Sequence, residues 1–210
     1  MTVSTTRKLK VDVVGAGFIG QLAHIQNLSR LPHVELTGLA ELRPILGQKV
    51  CDRYKIPTLY SSHEDLIQKS KADLVYVITR RHHTGPIALD LLNSGFNVFT
   101  EKPMAQTAEK SELLVDTATA NNALYSIGFM RRYDKGVNRA LQLYKELRTD
   151  KRLGAVLSAR IYLSAGGDYC NITGDIKTDE PKPMDVRWPV APPHVPQELT
   201  KYYESFVNVN

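Results

Sequence analysis

Three glycines, Gly15, Gly17 and Gly20, stand in a G-x-G-x-x-G order directly behind a short β-branched run, Lys10 to Val14, and open an apolar stretch that reaches about Arg30. Glycines recur at such spacings by chance. A strand before them and a helix after them is the context in which the pattern acquires meaning. In that context Gly15 permits the tight turn, Gly17 lets backbone approach a pyrophosphate, and Gly20 allows close packing of helix on strand. The helix start then presents amide N–H groups and the positive end of its dipole to the phosphates. The turn residues Gly15, Gly17, Phe18, Ile19 and Gly20 are therefore candidate contacts for a bound dinucleotide.

The rhythm downstream agrees. Val34 to Ala40 reads as a second buried strand, followed by a helix from Pro44 to about Tyr54, where a proline suits the first helical turn. Thr58 to Tyr60 is a minimal third strand, and Ser62, three before Asp65, heads a short helix. Asp73 to Thr79 is an almost continuous apolar run, as a parallel strand buried on both faces requires. Gly85-Pro86 is expected to start a helix that stops at Gly95. Asn97 to Thr100 and Leu124 to Phe129 read as further strands, with a helix from Thr107 to Asn121 between them. Strands alternating with helices predict an α/β fold on a doubly wound parallel sheet, a Rossmann domain over residues 1–130.

Glu41 ends the second strand, 21 residues after Gly20, where an acid accepts hydrogen bonds from the ribose hydroxyls and repels a 2′-phosphate. That favours NAD. Arg43, two residues on, keeps NADP open, since a guanidinium pairs well with a 2′-phosphate.

The formal charge of +5 raises nucleic-acid binding as a class. Apart from Arg80-Arg81 and Arg131-Arg132 the basic residues are interleaved with acids, and no aromatic interleave accompanies them, so no nucleic-acid partner is expected. No apolar run reaches the ~18–20 residues of a membrane span, so no membrane partner is expected either. Met1 to Lys10 lacks the apolar segment of a secretory signal, and Cys51 and Cys170 are far apart, which together read as a cytoplasmic chain with reduced thiols. His82 and His83 are adjacent and lack a third ligand, so no metal is expected.

Beyond Arg131 the pattern changes. Asp134 to Arg148 reads as a helix and Gly154 to Ser164 as one long alternating strand, as in a sheet with one solvated or partner-covered face. Gly166 to Pro196 carries six of the eleven prolines and reads as a long loop, with a final helix from Gln197 to Val207. Residues 131–210 are thus the beginning of a second α/β domain.

Several stretches then align in order: Ile78 to Arg80 (ITR), a G-x-x-V-x-x-EKP spacing from Gly95, Glu101-Lys102-Pro103 after the fifth strand, and Gly128 to Asp134 (GFMRRYD). Over Lys8 to Ser164 the chain resembles the family of glucose–fructose oxidoreductase and inositol dehydrogenase (Gfo/Idh/MocA). The resemblance implies a two-domain oxidoreductase. Its second domain, built on an open, mostly antiparallel sheet, covers the nicotinamide, supplies much of a site for a sugar-like small molecule, and joins copies into a homo-oligomer. It implies Lys102 as the catalytic proton shuttle beside the reacting hydroxyl, since hydride leaving a carbinol carbon must be matched by proton loss from its oxygen. Glu101 would line the nicotinamide ribose, with a cis Lys102-Pro103 bond possible in the motif. Thr79, Arg80, Thr84 and Arg132 are further candidate cofactor contacts, although relatives often carry Pro-Asn at the positions of Arg80 and Arg81 and His at that of Thr84.

The family's D-x-x-x-H pair is absent: no Asp stands four residues before any of the six histidines. The expectation is a fragment of a longer chain, its active site completed beyond Asn210. The competing expectation is a module that binds NAD(P) without turnover.

Overall fold

The computed structural model describes residues 7–150, 154–158, 160, 162, 174–183 and 188. Six strands, β1 (Leu9–Val14), β2 (Val34–Ala40), β3 (Thr58–Tyr60), β4 (Leu74–Val77), β5 (Val98–Glu101) and β6 (Tyr125–Gly128), form one sheet in the order β3-β2-β1-β4-β5-β6. Every pair is parallel. This is the doubly wound order, with its reversal between β1 and β4, and ligands of such sheets bind at the carboxyl ends of the strands beside that reversal. The expected parallel sheet is observed, with β2 and β3 at their expected bounds.

Helices cover both faces. On one, Leu46 and Val50 of α2 (Pro44–Tyr54) pack with Ile25 and Leu28 over Val11, Val13 and Leu39. On the other, α3 (His63–Lys69), α4 (Arg81–Asn93) and α5 (Ala108–Ala120) bring Leu66, Leu91, Leu92 and Leu114 onto Val75, Val77 and Val98. Each such fully buried side chain contributes about 1.5–3 kcal/mol of transfer free energy. Caps set the helix starts: Ser62 accepts from the Asp65 amide, Thr107 from Lys110 and Asp134 from Val137. Gly95, at φ 79°, ends α4 as expected, its amide and that of Phe96 returning to Leu92 and Leu91.

Asp12 lies within β1 at 1% exposure. The Thr37 and Ser70 hydroxyls donate to its carboxylate at 2.5 and 2.6 Å. The β1–β2 register slips by one residue here, and Gly38 leaves the space that the carboxylate occupies, since a Cβ there would meet Asp12 Oδ1 at 2.9 Å. A buried carboxylate in a central strand persists only with its lone pairs satisfied, and these are.

Three expectations are corrected. The helix after the glycine turn is not a regular α-helix: Gly20–Ile25 is a wide π-turn that passes into a short α1 (Gln26–Leu28). α4 begins at Arg81, not at Gly85-Pro86, because Arg80 is extended and its carbonyl accepts from the His83 and Thr84 amides; Pro86 sits in the second turn and forfeits one backbone bond. The strand expected over 154–164 is not formed in its described residues, where Val156, Leu157 and Tyr162 are exposed. A strand needs a neighbour to complete its ladder, and none lies beside it among the described residues.

α6 (Lys135–Thr149), reached through a 3-10 turn at Met130–Tyr133, has no buried residue. Val137, Leu141 and Tyr144 line one exposed stripe of it. The final helix expected over 197–207 lies outside the described residues. Of the expected loop, residues 174–183 are irregular and docked against the first domain, with Ile176 packed on the α2 side of the core. Among the described residues no helix is long and apolar enough to cross a membrane.

Candidate functional site

The three motif glycines differ in what surrounds them. Gly15 has φ +96°, a conformation that L side chains rarely adopt, and a Cβ there would collide with the Ile78 carbonyl. A Cβ on Gly20 would lie 2.6 Å from the Gly15 carbonyl oxygen. Both are needed by the fold itself. Gly17 differs: a Cβ there would meet nothing within 4 Å. Its smallness serves no contact among the described residues, and the space it leaves faces the carboxyl edge.

Glu41 closes one side of the turn. It is 6% exposed. Its Oε2 accepts from the Ala16 amide at 2.8 Å, while Arg43 Nε donates to Oε1 at 2.8 Å and an outer guanidinium nitrogen donates to Oε2 at 3.1 Å. The acid and the base weighed separately in the sequence are thus one fork-to-fork pair. Arg43 is also the N-cap residue of α2.

Behind the turn, Gln21 is buried and donates to the Ala16 carbonyl at 2.8 Å. The same side chain donates to the Ile176 carbonyl at 3.0 Å and accepts from the Ile176 amide at 2.7 Å, a reciprocal pair across 155 residues. One turn on, His24 Nε2 lies 3.0 Å from Glu101 Oε1. The rings of Tyr76 and Phe99 stack with centroids 4.4 Å apart, and the His24 ring tilts against both. The π-turn therefore ties the glycine loop to the end of β5.

Lys102 follows Glu101 at that strand end, with its side chain exposed and its bond to Pro103 cis. Thr79 ends the β4 edge beside Gly15, and its hydroxyl lies 3.1 Å from that of Thr84. Thr84, 3% exposed, also donates to the Arg80 carbonyl at 3.1 Å, so its side chain holds the start of α4. Arg80 is half-buried as the α4 N-cap. Arg132 is exposed, its guanidinium carbon 5.8 Å from the Phe129 ring centroid. Phe18 and Ile19 line a groove of about 690 Å³ with Leu22, Arg53, Tyr54 and Gly174, running toward the far end of α2.

The structure thus brings the glycine turn, Glu41, Arg43 and Thr79 together and links the turn to Glu101 through His24. It does not bring Arg132 into contact with them among the described residues. Gln21, His24 and Glu180 were missed by sequence reasoning. A polar Gln21 and His24 inside an apolar stretch were a readable signal. Glu180, whose carboxylate accepts from the Ile45 and Leu46 amides at 3.0 and 2.8 Å, had none, because 135 and 134 residues separate the partners.

Comparison with known proteins completes the description. A family model described as "Oxidoreductase family, NAD-binding Rossmann fold" matches residues 9–129. The inositol 2-dehydrogenase of Salmonella paratyphi B is 32% identical over 131 residues, covering 61% of this chain and 39% of that protein. The inositol 2-dehydrogenase/D-chiro-inositol 3-dehydrogenase of Shouchella clausii is 34% identical over 131 residues, covering 61% and 38%. The structure of scyllo-inositol dehydrogenase from Lactobacillus casei with bound NAD(H) and scyllo-inositol is similar at a TM-score of 0.64, with 23% identity, over 69% of this chain and 43% of that one. That likeness is one of fold. The chain spans about two-fifths of the length of these curated relatives.

Proposed function

The chain belongs to the oxidoreductase family with an NAD-binding Rossmann fold, and from that premise we propose that it is the nucleotide-binding portion of an NAD(P)-dependent dehydrogenase acting on a sugar or polyol. The observation that supports this reading is Gly17: an open position between two glycines, Gly15 and Gly20, that are closed by packing, on the carboxyl edge of β1 and next to the buried Glu41. The pyrophosphate lies over Gly17, held by amides that a helix start leaves without intrahelical partners. Glu41 faces the adenosine ribose, and its pairing with Arg43 favours NAD over NADP. Phe18, Ile19 and Gly20 complete the turn, Thr79 and Arg80 border the nucleotide from β4, and Thr84 supports them.

The bound nicotinamide supplies hydride exchange with a carbinol or carbonyl carbon. Lys102 then exchanges the matching proton with the substrate oxygen, and Glu101, held by His24, fixes the backbone from which Lys102 projects. Arg132 borders the cofactor from the far side of β6. The exposed Val137–Leu141–Tyr144 stripe of α6 supports a further α/β domain on an open antiparallel sheet, which covers the nicotinamide and joins copies into a homo-oligomer. Residues 1–130 are the first domain and 131–210 the start of the second.

The test is a calorimetric titration with NAD and NADP, followed by a screen of sugars and cyclic polyols, inositols first, for change in nicotinamide absorbance with a chain that extends as far as the relatives do. Binding of a nicotinamide dinucleotide is expected, with inositol-like substrates giving turnover. Absence of binding by either nucleotide would refute the reading.

A further inference from the structure

Residues 174–183 are tied to the first domain at three points: Arg53 donates to the Gly174 carbonyl at 2.6 Å, Gln21 clasps the Ile176 backbone, and Glu180 sits on the start of α2. The last of these has a chemical meaning that the others lack. In a parallel βαβ unit each helix starts at the carboxyl edge of the sheet, so the α2 amides bonded by Glu180 lie on the same edge as the glycine turn. The stretch between them is short: Glu41 ends β2, Arg43 caps α2, and Ile45 and Leu46 donate to Glu180. The Thr178 hydroxyl donates to Glu180 Oε2 at 2.9 Å, fixing the carboxylate from its own segment. Burial works against ionisation of Glu180, but the two α2 amides, Thr178 and the nearby Arg43 charge outweigh it and hold the group below the ordinary carboxylate range.

Glu41 therefore pairs with the Arg43 guanidinium at the end of β2, and Glu180 lies near enough to feel the same charge. Arg43 is already forked onto Glu41 at 2.8 and 3.1 Å. Glu180 occupies the α2 amides, the other groups at this edge suited to an anion. Resting on the nucleotide reading above, we propose that Glu180 is a second coenzyme-selecting residue: it fills the anion-binding start of α2 from within the chain and makes the end of β2 net negative, so that a 2′-phosphate is excluded and NAD preferred.

The experiment measures the dissociation constants of NAD and NADP by titration calorimetry on the full 210-residue chain and on E180Q and E180D. E180Q removes the charge and keeps one acceptor oxygen, so one of the two α2 amides loses its side-chain partner; E180D retains the charge and both acceptor oxygens. Removing one negative charge from the start of α2, in a partly solvated site, is expected to tighten NADP binding about five- to tenfold, with NAD affinity held within about twofold. E180D is expected to keep the wild-type ratio, and raised salt to shrink the E180Q effect. An unchanged NADP-to-NAD ratio in E180Q, with NAD still bound, overturns the role of Glu180 and leaves the nucleotide reading intact. Equal shifts in both variants overturn it too, because cap geometry would then be the cause. Failure of wild type to bind either nucleotide overturns both. Melting curves of the variants establish that the cap has survived.

Discussion

Replacing Gly17 by Ala separates ligand binding from folding in a way that its neighbours do not permit. The added Cβ would meet no protein atom within 4 Å, and the backbone there is not left-handed, so the native conformation suits alanine. Loss of glycine's freedom in the unfolded chain should then stabilise the fold by about 0.4–1 kcal/mol. That raises the melting temperature by about 1–4 °C for a chain of this size. The same methyl group would occupy the path of a pyrophosphate lying on the turn. If it displaces the phosphates enough to break two charge-assisted amide bonds, at about 1.5 kcal/mol each, binding weakens by about 3 kcal/mol. That corresponds to roughly 150-fold in Kd. The assay pairs thermal unfolding without ligand with titration calorimetry against NAD. A G17A variant that is as stable as wild type and binds NAD within about threefold of it would refute the placement of the pyrophosphate. G15A is the contrast: it should lose stability and affinity together, since its Cβ collides with the Ile78 carbonyl.

Other perturbations follow from the packing. The buried Asp12 carboxylate accepts from two part-buried hydroxyls, so D12A should destabilise the fold by about 3 kcal/mol, read as a lowered urea midpoint, and an unchanged midpoint would refute its structural role. Burial, and secondarily the Asp52 charge, push the Cys51 thiol up to about 11 from 9.0, so at about pH 8 its alkylation should be at least ~100-fold slower in the folded than in the unfolded chain; mass spectrometry of the Cys51 peptide checks this. The Asp73 carboxyl is held below the ordinary value of 3.8 by its hydrogen bond from Arg7 and then by the Lys10 amide. A depressed folded pKa stabilises above the unfolded value and is lost as pH falls through it, so melting temperature should drop on acidification below about pH 4, and D73N should show a smaller drop from a lower start. Equal acid sensitivity in D73N would refute that assignment.

What was legible in the sequence was local. β2 follows from its apolar run, α2 from its start at Pro44, and the Ser62 cap from a short-range pattern. The turn role of Gly15 and the packing role of Gly20 were legible because each answers to an adjacent strand or turn. The start of α4 was not, because Pro86 reads as a first-turn residue, whereas the structure spends a backbone bond to place it in the second turn. The π-turn has no periodicity signature of its own. The Glu180 and Ile176 contacts arise only after the chain has returned across more than a hundred residues, a proximity that no window of sequence contains.

The reciprocal clasp between Gln21 and Ile176 bears on where this protein can be cut. The pattern of the chain changes near residue 130, but the contacts of the first domain extend beyond it, to residues 174–183. A version ending at that change would leave the buried Gln21 side chain with the Ala16 carbonyl but without its Ile176 partners, the α2 amides without Glu180, and the core without Ile176. Any chimera that transplants the nucleotide-binding half therefore has to carry residues 174–183 with it, as a separate piece if necessary. The contacts that close this edge of the sheet are drawn from two distant stretches of the chain.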